Sequence, residues 1–252
     1  MRRSKSFLSL CAVLAAMGHA NAGPADEPVA IGDNAFGFRL INQLSKKDPA
    51  ANICISPFST ATLLHMIDSG ASGNTKTEIQ QVLGTTGLSS SDVDAANYDV
   101  AQSLTRTSAH FILTAANAIW YRPGARVDPR FIATNRQFYG ATVDALDFYA
   151  PHAVNIINTW ANNMTDGKIP SIVDGIIDPR NTQLLLANAI YFKGKWLSPF
   201  EAQYTRNRLF HLHDGRDKTI AMMQQSKHWD TEKGAGIRRC VCLMRETIWR
   251  CT

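Results

Sequence analysis

The stretch that decides the fold covers residues 182–196 and reads Thr-Gln-Leu-Leu-Leu-Ala-Asn-Ala-Ile-Tyr-Phe-Lys-Gly-Lys-Trp. Its core, residues 184–192, is apolar apart from Asn188 and shows no alternation between a polar and an apolar face. Such a run is typical of a strand that is covered on both sides at the centre of a sheet. A helix is the competing interpretation, but Gly194 close behind and the Ile-Tyr-Phe cluster favour a strand.

Asn188 is the polar exception inside this apolar run. Its amide has four hydrogen-bonding positions, and burying them without partners costs free energy. A polar group must therefore meet Asn188 inside the core. The plainer interpretation is a satisfied core amide, and the sharper one is a polar pin at a place where the sheet opens.

Several short motifs occur in a fixed order along the chain. The segment 188–196, followed by Pro199-Phe200, resembles the third strand of the large central sheet of serpins and the turn after it. Other matching motifs are Ser56-Pro57-Phe58-Ser59, Gly70-Ala71-Ser72-Gly73, Val82-Leu83-Gly84 and Ile157-Asn158-Thr159-Trp160, the last leading to Gly167-Lys168-Ile169. The resemblance covers about residues 34–236.

The resemblance implies an α+β fold in which N-terminal helices pack on a large central mixed sheet. Local patterns predict helices over 33–47, 57–67, 93–107, 128–139 and 153–164, and strands over 52–55, 110–121, 141–148 and 184–192. A further helix is predicted from a capping box of Thr75 and Glu78 to a stop at Gly84. Asn117-Ala118-Ile119-Trp120 nearly repeats Asn188-Ala189-Ile190-Tyr191. The repeat indicates two neighbouring strands that pack in the same environment.

The N-terminus has the pattern of a secretory signal peptide, which we assign to residues 1–22. Three basic residues precede an apolar segment over 7–17, and Ala20-Asn21-Ala22 fits a small-residue cleavage site. The segment is too short to span a membrane, so we expect a secreted, extracellular protein, or a periplasmic one in a Gram-negative host. Asn163-Met164-Thr165 is a glycosylation sequon that matters only in a host that glycosylates.

The positive charge belongs to the two ends of the chain. The formal net charge is +5, and the leader contributes three basic residues and no acidic one. The final 18 residues, 235–252, add four arginines against one glutamate, so the body between them is close to neutral at −1. Since no basic stripe with interleaved aromatic residues occurs in that body, we predict no nucleic-acid partner, and we predict no membrane partner.

The cysteines do not predict a disulfide framework or a metal site. Cys54 stands alone in the body, and Cys240, Cys242 and Cys251 all lie in the last residues. His228 near the Cys-x-Cys pair suggests a metal-site interpretation, but thiolates separated by one residue fit zinc poorly. We therefore expect no metal and no cofactor.

The tail, residues 237–252, is neither periodic nor similar to serpins. One choice of allowed codons from Arg238 onward, read in another frame, encodes Ala-Val-Cys-Leu-Pro-Tyr-Ala-Gly-Asp-Asp-Leu-Ala-Met-Tyr, which resembles the serpin continuation. The codons of Met244 and Trp249 are fixed in this choice. We therefore expect an incomplete serpin domain over 23–236 and a frameshifted, non-homologous tail, with the C-terminal strands, the reactive loop and the reactive-centre bond missing.

The resemblance implies suicide inhibition of a serine or cysteine protease by insertion of a reactive loop into the central sheet. It assigns Ser56, Ser59 and Asn188 to the shutter positions under the sheet centre and Trp196 to the breach at the top of the strand. Each has a plainer interpretation, because Ser56 is an ordinary helix cap, Ser59 a first-turn serine and Trp196 a core anchor. No catalytic residues are predicted, and we expect the chain not to be an enzyme.

A chain without the reactive loop is expected to be inactive as an inhibitor. Its third strand is expected to lose one partner, which leaves an apolar edge that invites self-association. The alternative function is a non-inhibitory serpin-like binding protein or chaperone, and the reactive-loop hinge that separates the two is missing.

Overall fold

The computed structural model describes residues 26–105, 111–175, 177–196, 198–212, 214–225, 231–234 and 237–240. The elements in chain order are α1 (Asp26–Lys47), α2 (Pro57–Asp68), α3 (Gly73–Leu83), α4 (Ser90–Leu104), β1 (Phe111–Tyr121), α5 (Pro129–Tyr139), β2 (Thr142–Ala145), α6 (Ala153–Met164), β3 (Leu184–Gly194), a 3-10 turn (Ala202–Tyr204), β4 (Arg206–His211), β5 (Asp217–Met222), β6 (Thr231–Gly234) and β7 (Ile237–Cys240). The described residues fall into two compact units, a larger one that takes in 26–105 and 112–192 and a smaller one that takes in Phe111 and those from 193 onward.

The ends of α5 agree with the prediction because both signals are local. Asp128 accepts a hydrogen bond from the backbone N–H of Arg130, and Pro129 occupies the first turn, where its missing N–H costs nothing. Gly140 follows the helix with φ 57°, a conformation that glycine adopts without strain. The helix therefore ends where the sequence predicts and starts one residue after the predicted start at 128.

Several other predictions differ from the structure. Helix α4 begins three residues before its predicted start at 93, and β2 is shorter than the predicted strand over 141–148. Helix α1 begins at Asp26, seven residues before the predicted start, and acidic residues in its first turn favour that end of the helix dipole. Helix α3 begins at Gly73, so the predicted capping box of Thr75 is already inside the helix. Residues 52–55 form no strand, since none of the strands in the described part of the chain pairs with them.

The larger unit contains a mixed sheet with the strand order β2-β1-β3. Strands β1 and β2 are parallel, with Ala118 opposite Thr142. The backbone N–H of Arg122 donates to the carbonyl of Gln183 at 2.9 Å. Asn117, five residues before Arg122, bonds to Asn188, five residues after Gln183. Strands β1 and β3 are therefore antiparallel, and the predicted α+β class with a mixed sheet is confirmed.

Helices cover the sheet on both faces. One face packs against α6 in a cluster of Ala118, Trp120, Leu146, Phe148, Ala153, Ile157, Trp160, Ala161, Ala187 and Ala189. The other face packs against α2 and α5 in a cluster of Met66, Ile119, Phe131, Tyr139, Ala141 and Val143, with Leu63 and Leu186 partly buried beside it. Side chains alternate along a strand, so Asn117 and Asn188 share the face of Ile119 and Leu186. Both asparagines thus lie on the α2 and α5 side.

The predicted strand over 184–192 is confirmed, but its expected place at the centre of the sheet is not what the described residues show. Strand β3 is the last strand of that sheet, and only Ala187 and Ala189 are fully buried. Leu184 and Phe192 remain 38% and 47% exposed. The helices cover β1 more fully than β3, which explains the partial burial of an equally apolar strand.

The smaller unit contains hairpins. Strands β4 and β5 pair antiparallel from Arg206 opposite Met222 to His211 opposite Asp217. Strands β6 and β7 pair antiparallel, so the first four residues of the predicted tail, Ile237–Cys240, form a strand. The predicted signal peptide, His228 and residues 241–252 lie outside the described residues.

Candidate functional site

The far edge of β3, which is the side facing away from β1, carries no strand in the described sheet. In an antiparallel pair, the peptide groups of a residue point toward the partner strand or away from it in alternation. Gln183 accepts a hydrogen bond from β1, so the odd-numbered residues that follow it point toward β1. The backbone N–H and C=O groups of Leu186, Asn188 and Ile190 therefore point to the far edge.

The side chain of Asn188 is tied to β1 and through it to α5. Its Nδ2 donates to Asn117 Oδ1 at 2.8 Å, and Asn117 Nδ2 donates to the carbonyl of Tyr139 at 2.8 Å. Asn117 is buried and Asn188 is half-buried. Asn188 is less buried than the sequence predicts, but its amide has the polar partner that was expected, and the partner is the asparagine of the repeated motif.

Tyr139 extends this chain of hydrogen bonds to α4. Its hydroxyl donates to Asp94 Oδ1 at 2.6 Å, and both side chains are buried. Burial raises the pKa of the Asp94 carboxyl, while the hydrogen bond from Tyr139 lowers it. Burial, followed by the charge of Asp94, raises the pKa of the Tyr139 phenol far above its usual range. The phenol therefore keeps its proton and acts as a donor.

Ser56 and Ser59 lie at the start of α2, on the helix that packs against the same face of the sheet as Asn188. Ser56 Oγ accepts the backbone N–H of Ser59 at 3.2 Å, so Ser56 is the N-cap of the helix. Ser59 Oγ is buried and has no hydrogen-bond partner. The two serines are brought together, whereas Asn188 bonds to Asn117 and not to either serine.

Trp196 lies beyond the end of β3, in the smaller unit. It is half-buried and packs edge-to-face on Phe200, with ring centroids 5.6 Å apart. This aromatic pair joins the two ends of the motif that follows the strand, so Trp196 anchors the turn.

Three residues of this arrangement were not assigned a role from the sequence, namely Asn117, Tyr139 and Asp94. The repeat of Asn-Ala-Ile was the signal for Asn117. Tyr139 and Asp94 carry no local signal, since they come from different helices and meet only in the tertiary structure.

The described residues offer no helix with the length and hydrophobicity that a membrane crossing requires. Among the same residues, no cluster of three or more His, Cys, Asp and Glu side chains is arranged to hold a metal ion. Cys54, at the end of the segment that leads into α2, is a free and exposed thiol.

Comparison with known proteins decides the family. A family model described as serpin (serine protease inhibitor) matches residues 32–239. The chain belongs to the serpin family. The family predicted from the motifs is thereby confirmed, and the open-edged strand with its asparagine belongs to a serpin sheet.

Relatives of this serpin include a protein named as an elastase inhibitor and a protein named as a nexin. The chain is 33% identical over 204 residues to the leukocyte elastase inhibitor of Sus scrofa. The aligned region covers 80% of this chain and 53% of that protein. The chain is 32% identical over 191 residues to the glia-derived nexin of Rattus norvegicus, covering 75% of this chain and 47% of that protein. The chain thus spans about half the length of these relatives.

Solved serpin structures share its fold. Ovalbumin from emu superposes with a TM-score of 0.81 at 25% identity, covering 87% of this chain and 61% of the ovalbumin chain. An Arabidopsis serpin in its native stressed conformation gives a TM-score of 0.78 at 25% identity, covering 90% of this chain and 59% of its own.

Proposed function

We propose that this chain carries the strand-accepting framework of a suicide-type protease inhibitor. The observation that supports the proposal is the far edge of β3, where the peptide groups of Leu186, Asn188 and Ile190 face a position without a described strand. A reactive loop that is attacked as a substrate by a serine or cysteine protease would pair there before the acyl-enzyme is hydrolysed. The new ladder of hydrogen bonds and buried side chains drives the insertion.

The proposed shutter consists of Ser56, Ser59 and Asn188, and the proposed breach is at Trp196. The asparagine that bonds β3 to β1 and the cap at the start of α2 lie on the same face of the sheet, beside the strand whose far edge would receive the new segment. The unpartnered hydroxyl of Ser59 suits such a place, because a buried polar atom without a partner is free to bond when the strands move.

The reactive bond is proposed to lie in a different reading frame. The codons from Arg238 onward have an allowed choice that encodes a serpin-like continuation, so a frameshift near Ile237 accounts for the tail. Sequencing the gene across this point tests the idea. A gene in which no alternative frame encodes a serpin C-terminus would remove it.

Inhibition is tested on the frame-restored protein. Incubation with trypsin-, elastase- and papain-like proteases is expected to give a complex that survives denaturant with at least one of them. A panel is needed, since the relatives named for elastase suggest one target class but the bond that would set specificity is itself only proposed, in the other reading frame. Cleavage without a stable complex for every protease would favour the binding-protein alternative.

A matched pair of variants tests the edge itself. Ile190→Pro removes an N–H that points to the far edge and leaves the hydrogen bonds of β3 to β1 in place, whereas Ala189→Pro removes an N–H that points to β1. In the restored protein, Ile190→Pro is expected to turn the inhibitor into a substrate while the fold survives. Ala189→Pro is expected to disrupt the sheet. Unchanged complex formation by a folded Ile190→Pro protein would contradict strand addition at this edge.

We propose that the chain as it stands associates with copies of itself through the same edge. An apolar edge strand with unpaired peptide groups is a template for another strand. Size-exclusion chromatography with light scattering is expected to show mass that grows with concentration, and Ile190→Pro is expected to suppress that growth. A monomeric, cooperatively melting product at all concentrations would contradict the proposal.

We propose export through the leader over 1–22. The proposal is supported by the sequence of the leader, which has a charged start, an apolar middle and small residues at its end. N-terminal sequencing of the mature protein should begin at Gly23.

In a glycosylating host, Asn163 is available for a glycan, since it is exposed near the end of α6.

A further inference from the structure

Arg122 directly follows β1 and gathers the backbone carbonyls of the segment that leads into β3. Its Nη2 donates to the carbonyl oxygens of Pro179 and of Thr182, the latter at 2.7 Å, and lies 3.4 Å from that of Arg180. Its backbone N–H donates to the carbonyl of Gln183. One residue next to the end of β1 therefore contacts four backbone carbonyls of the connection, those of residues 179, 180, 182 and 183.

The receiving segment is shaped for this contact. Asp178 accepts hydrogen bonds from the backbone N–H of Arg180 at 2.9 Å and from the side chain of Asn181 at 2.7 Å, and its carbonyl accepts the N–H of Thr182 at 2.9 Å. The bond from the Arg180 N–H is the main reason that the pKa of the exposed Asp178 carboxyl is lowered, and the charge of Arg122 adds to it. The turn thus presents its carbonyls together on the side of Arg122.

The arginine is held from a second direction by an aromatic ring. Its guanidinium carbon lies 5.6 Å from the ring centroid of Tyr149, at a distance where a cation and an aromatic face attract. Arg122 Nε is buried and has no hydrogen-bond partner, which costs free energy. The hydrogen bonds from Nη2 to the carbonyls offset that cost. A planar guanidinium suits this role better than an ammonium, because it offers several donors in fixed directions.

We propose that Arg122 is a positioning residue that locks the start of β3 to the end of β1. Together with the Asn117–Asn188 bond in the middle of the strands, it makes β1 and β3 one body. When another strand joins the sheet, the pair stays closed and only the far edge of β3 is available. This inference rests on the proposed function for its biological meaning, but the lock itself exists in the chain without any protease.

Hydrogen exchange followed by mass spectrometry tests the lock in the full chain at low concentration. In Arg122→Ala, peptides that cover residues 179–186 are expected to exchange at least about tenfold faster, the size expected when a hydrogen bond to a charged group is lost. Peptides from α2 and α4 are expected to keep their protection. Arg122→Lys is expected to restore part of the protection, since an ammonium reaches some of the carbonyls without matching their geometry.

Arg126→Ala is the matched control, because Arg126 is an exposed arginine in the same segment as Arg122, between β1 and α5. It is expected to exchange like the unmodified chain. Unchanged protection of 179–186 in Arg122→Ala, or an equal loss in α2 and α4, would overturn the lock. If Arg122→Ala does not fold, Arg122→Lys decides by the same comparison. These outcomes do not depend on complex formation with a protease, so failure of the lock and failure of the inhibitor proposal are distinguishable.

Discussion

The bond between Tyr139 and Asp94 gives a prediction in which both the size and the pH dependence follow from the structure. Tyr139→Phe removes the hydroxyl that donates to Asp94 Oδ1 at 2.6 Å and changes almost nothing else in the volume of the side chain. Asp94 then remains buried without this donor. An unsatisfied buried acceptor costs about 1–3 kcal/mol, and the upper half of that range applies when the acceptor is ionised.

The sign of the pH dependence follows from the Asp94 carboxyl. Burial raises its pKa in the folded chain above the unfolded value, so its contribution to stability is complete at pH below the unfolded value of about 4 and is lost as the pH rises through the raised pKa. Tyr139 lowers that pKa, so its removal raises the pKa further. We expect Tyr139→Phe to cost about 2 kcal/mol near neutral pH and about half as much near pH 3, below the unfolded pKa, where the carboxyl is protonated.

Urea unfolding at the two pH values measures this difference, with the free energy of unfolding compared at equal m-values. Tyr98→Phe is the control, since Tyr98 lies on α4 and is 42% exposed. It should change the free energy of unfolding by less than about 0.5 kcal/mol at either pH. A Tyr139→Phe loss that is no larger than this control, or that grows toward acid pH, would refute the reasoning.

Two further pairs of variants separate effects that look alike in the sequence. Ser56→Ala removes the N-cap of α2 and is expected to lower the free energy of unfolding by about 1 kcal/mol, whereas Ser59→Ala removes an unpartnered buried hydroxyl and is expected to be neutral or stabilising by the same urea assay. Equal losses would contradict this assignment. Gly32→Ala places a Cβ 2.1 Å from the Leu83 carbonyl oxygen and is expected to cost about 3 kcal/mol or more. Gly140→Ala places its Cβ in open space at φ 57° and is expected to cost about 1–2 kcal/mol. A melting temperature that falls further in Gly140→Ala than in Gly32→Ala would argue against the backbone contact at Gly32.

Features encoded over a few neighbouring residues were predictable. The cap, proline and terminal glycine of α5 lie next to or within its own segment, and so its limits were predicted to within one residue. The repeated Asn-Ala-Ile motif predicted two neighbouring strands, and β1 and β3 are neighbours whose asparagines at 117 and 188 bond to each other. The serpin motifs, each short and ordered along the chain, predicted the family.

Features that depend on distant parts of the chain were not predictable. The apolar composition of β3 matches a strand covered on both faces, but coverage is decided by where α2, α5 and α6 pack, and that information lies elsewhere in the chain. Tyr139 and Asp94 are 45 residues apart, and Arg122 and Thr182 are 60 residues apart. No period or spacing marks such pairs, because the fold alone brings them together.

The carbonyl of Tyr139, at the last residue of α5, has a consequence for the length of that helix. The final carbonyls of a helix have no partner within it, and here one is satisfied by an amide borrowed from the sheet. One residue added or deleted within α5 turns its terminal carbonyl by about 100° around the helix axis, which carries the oxygen away from Asn117. The length of a largely surface helix is thus fixed by a side chain of β1. An insertion or deletion on the exposed side of the helix would break the bond from Asn117 and so disturb the partner of Asn188 on β3.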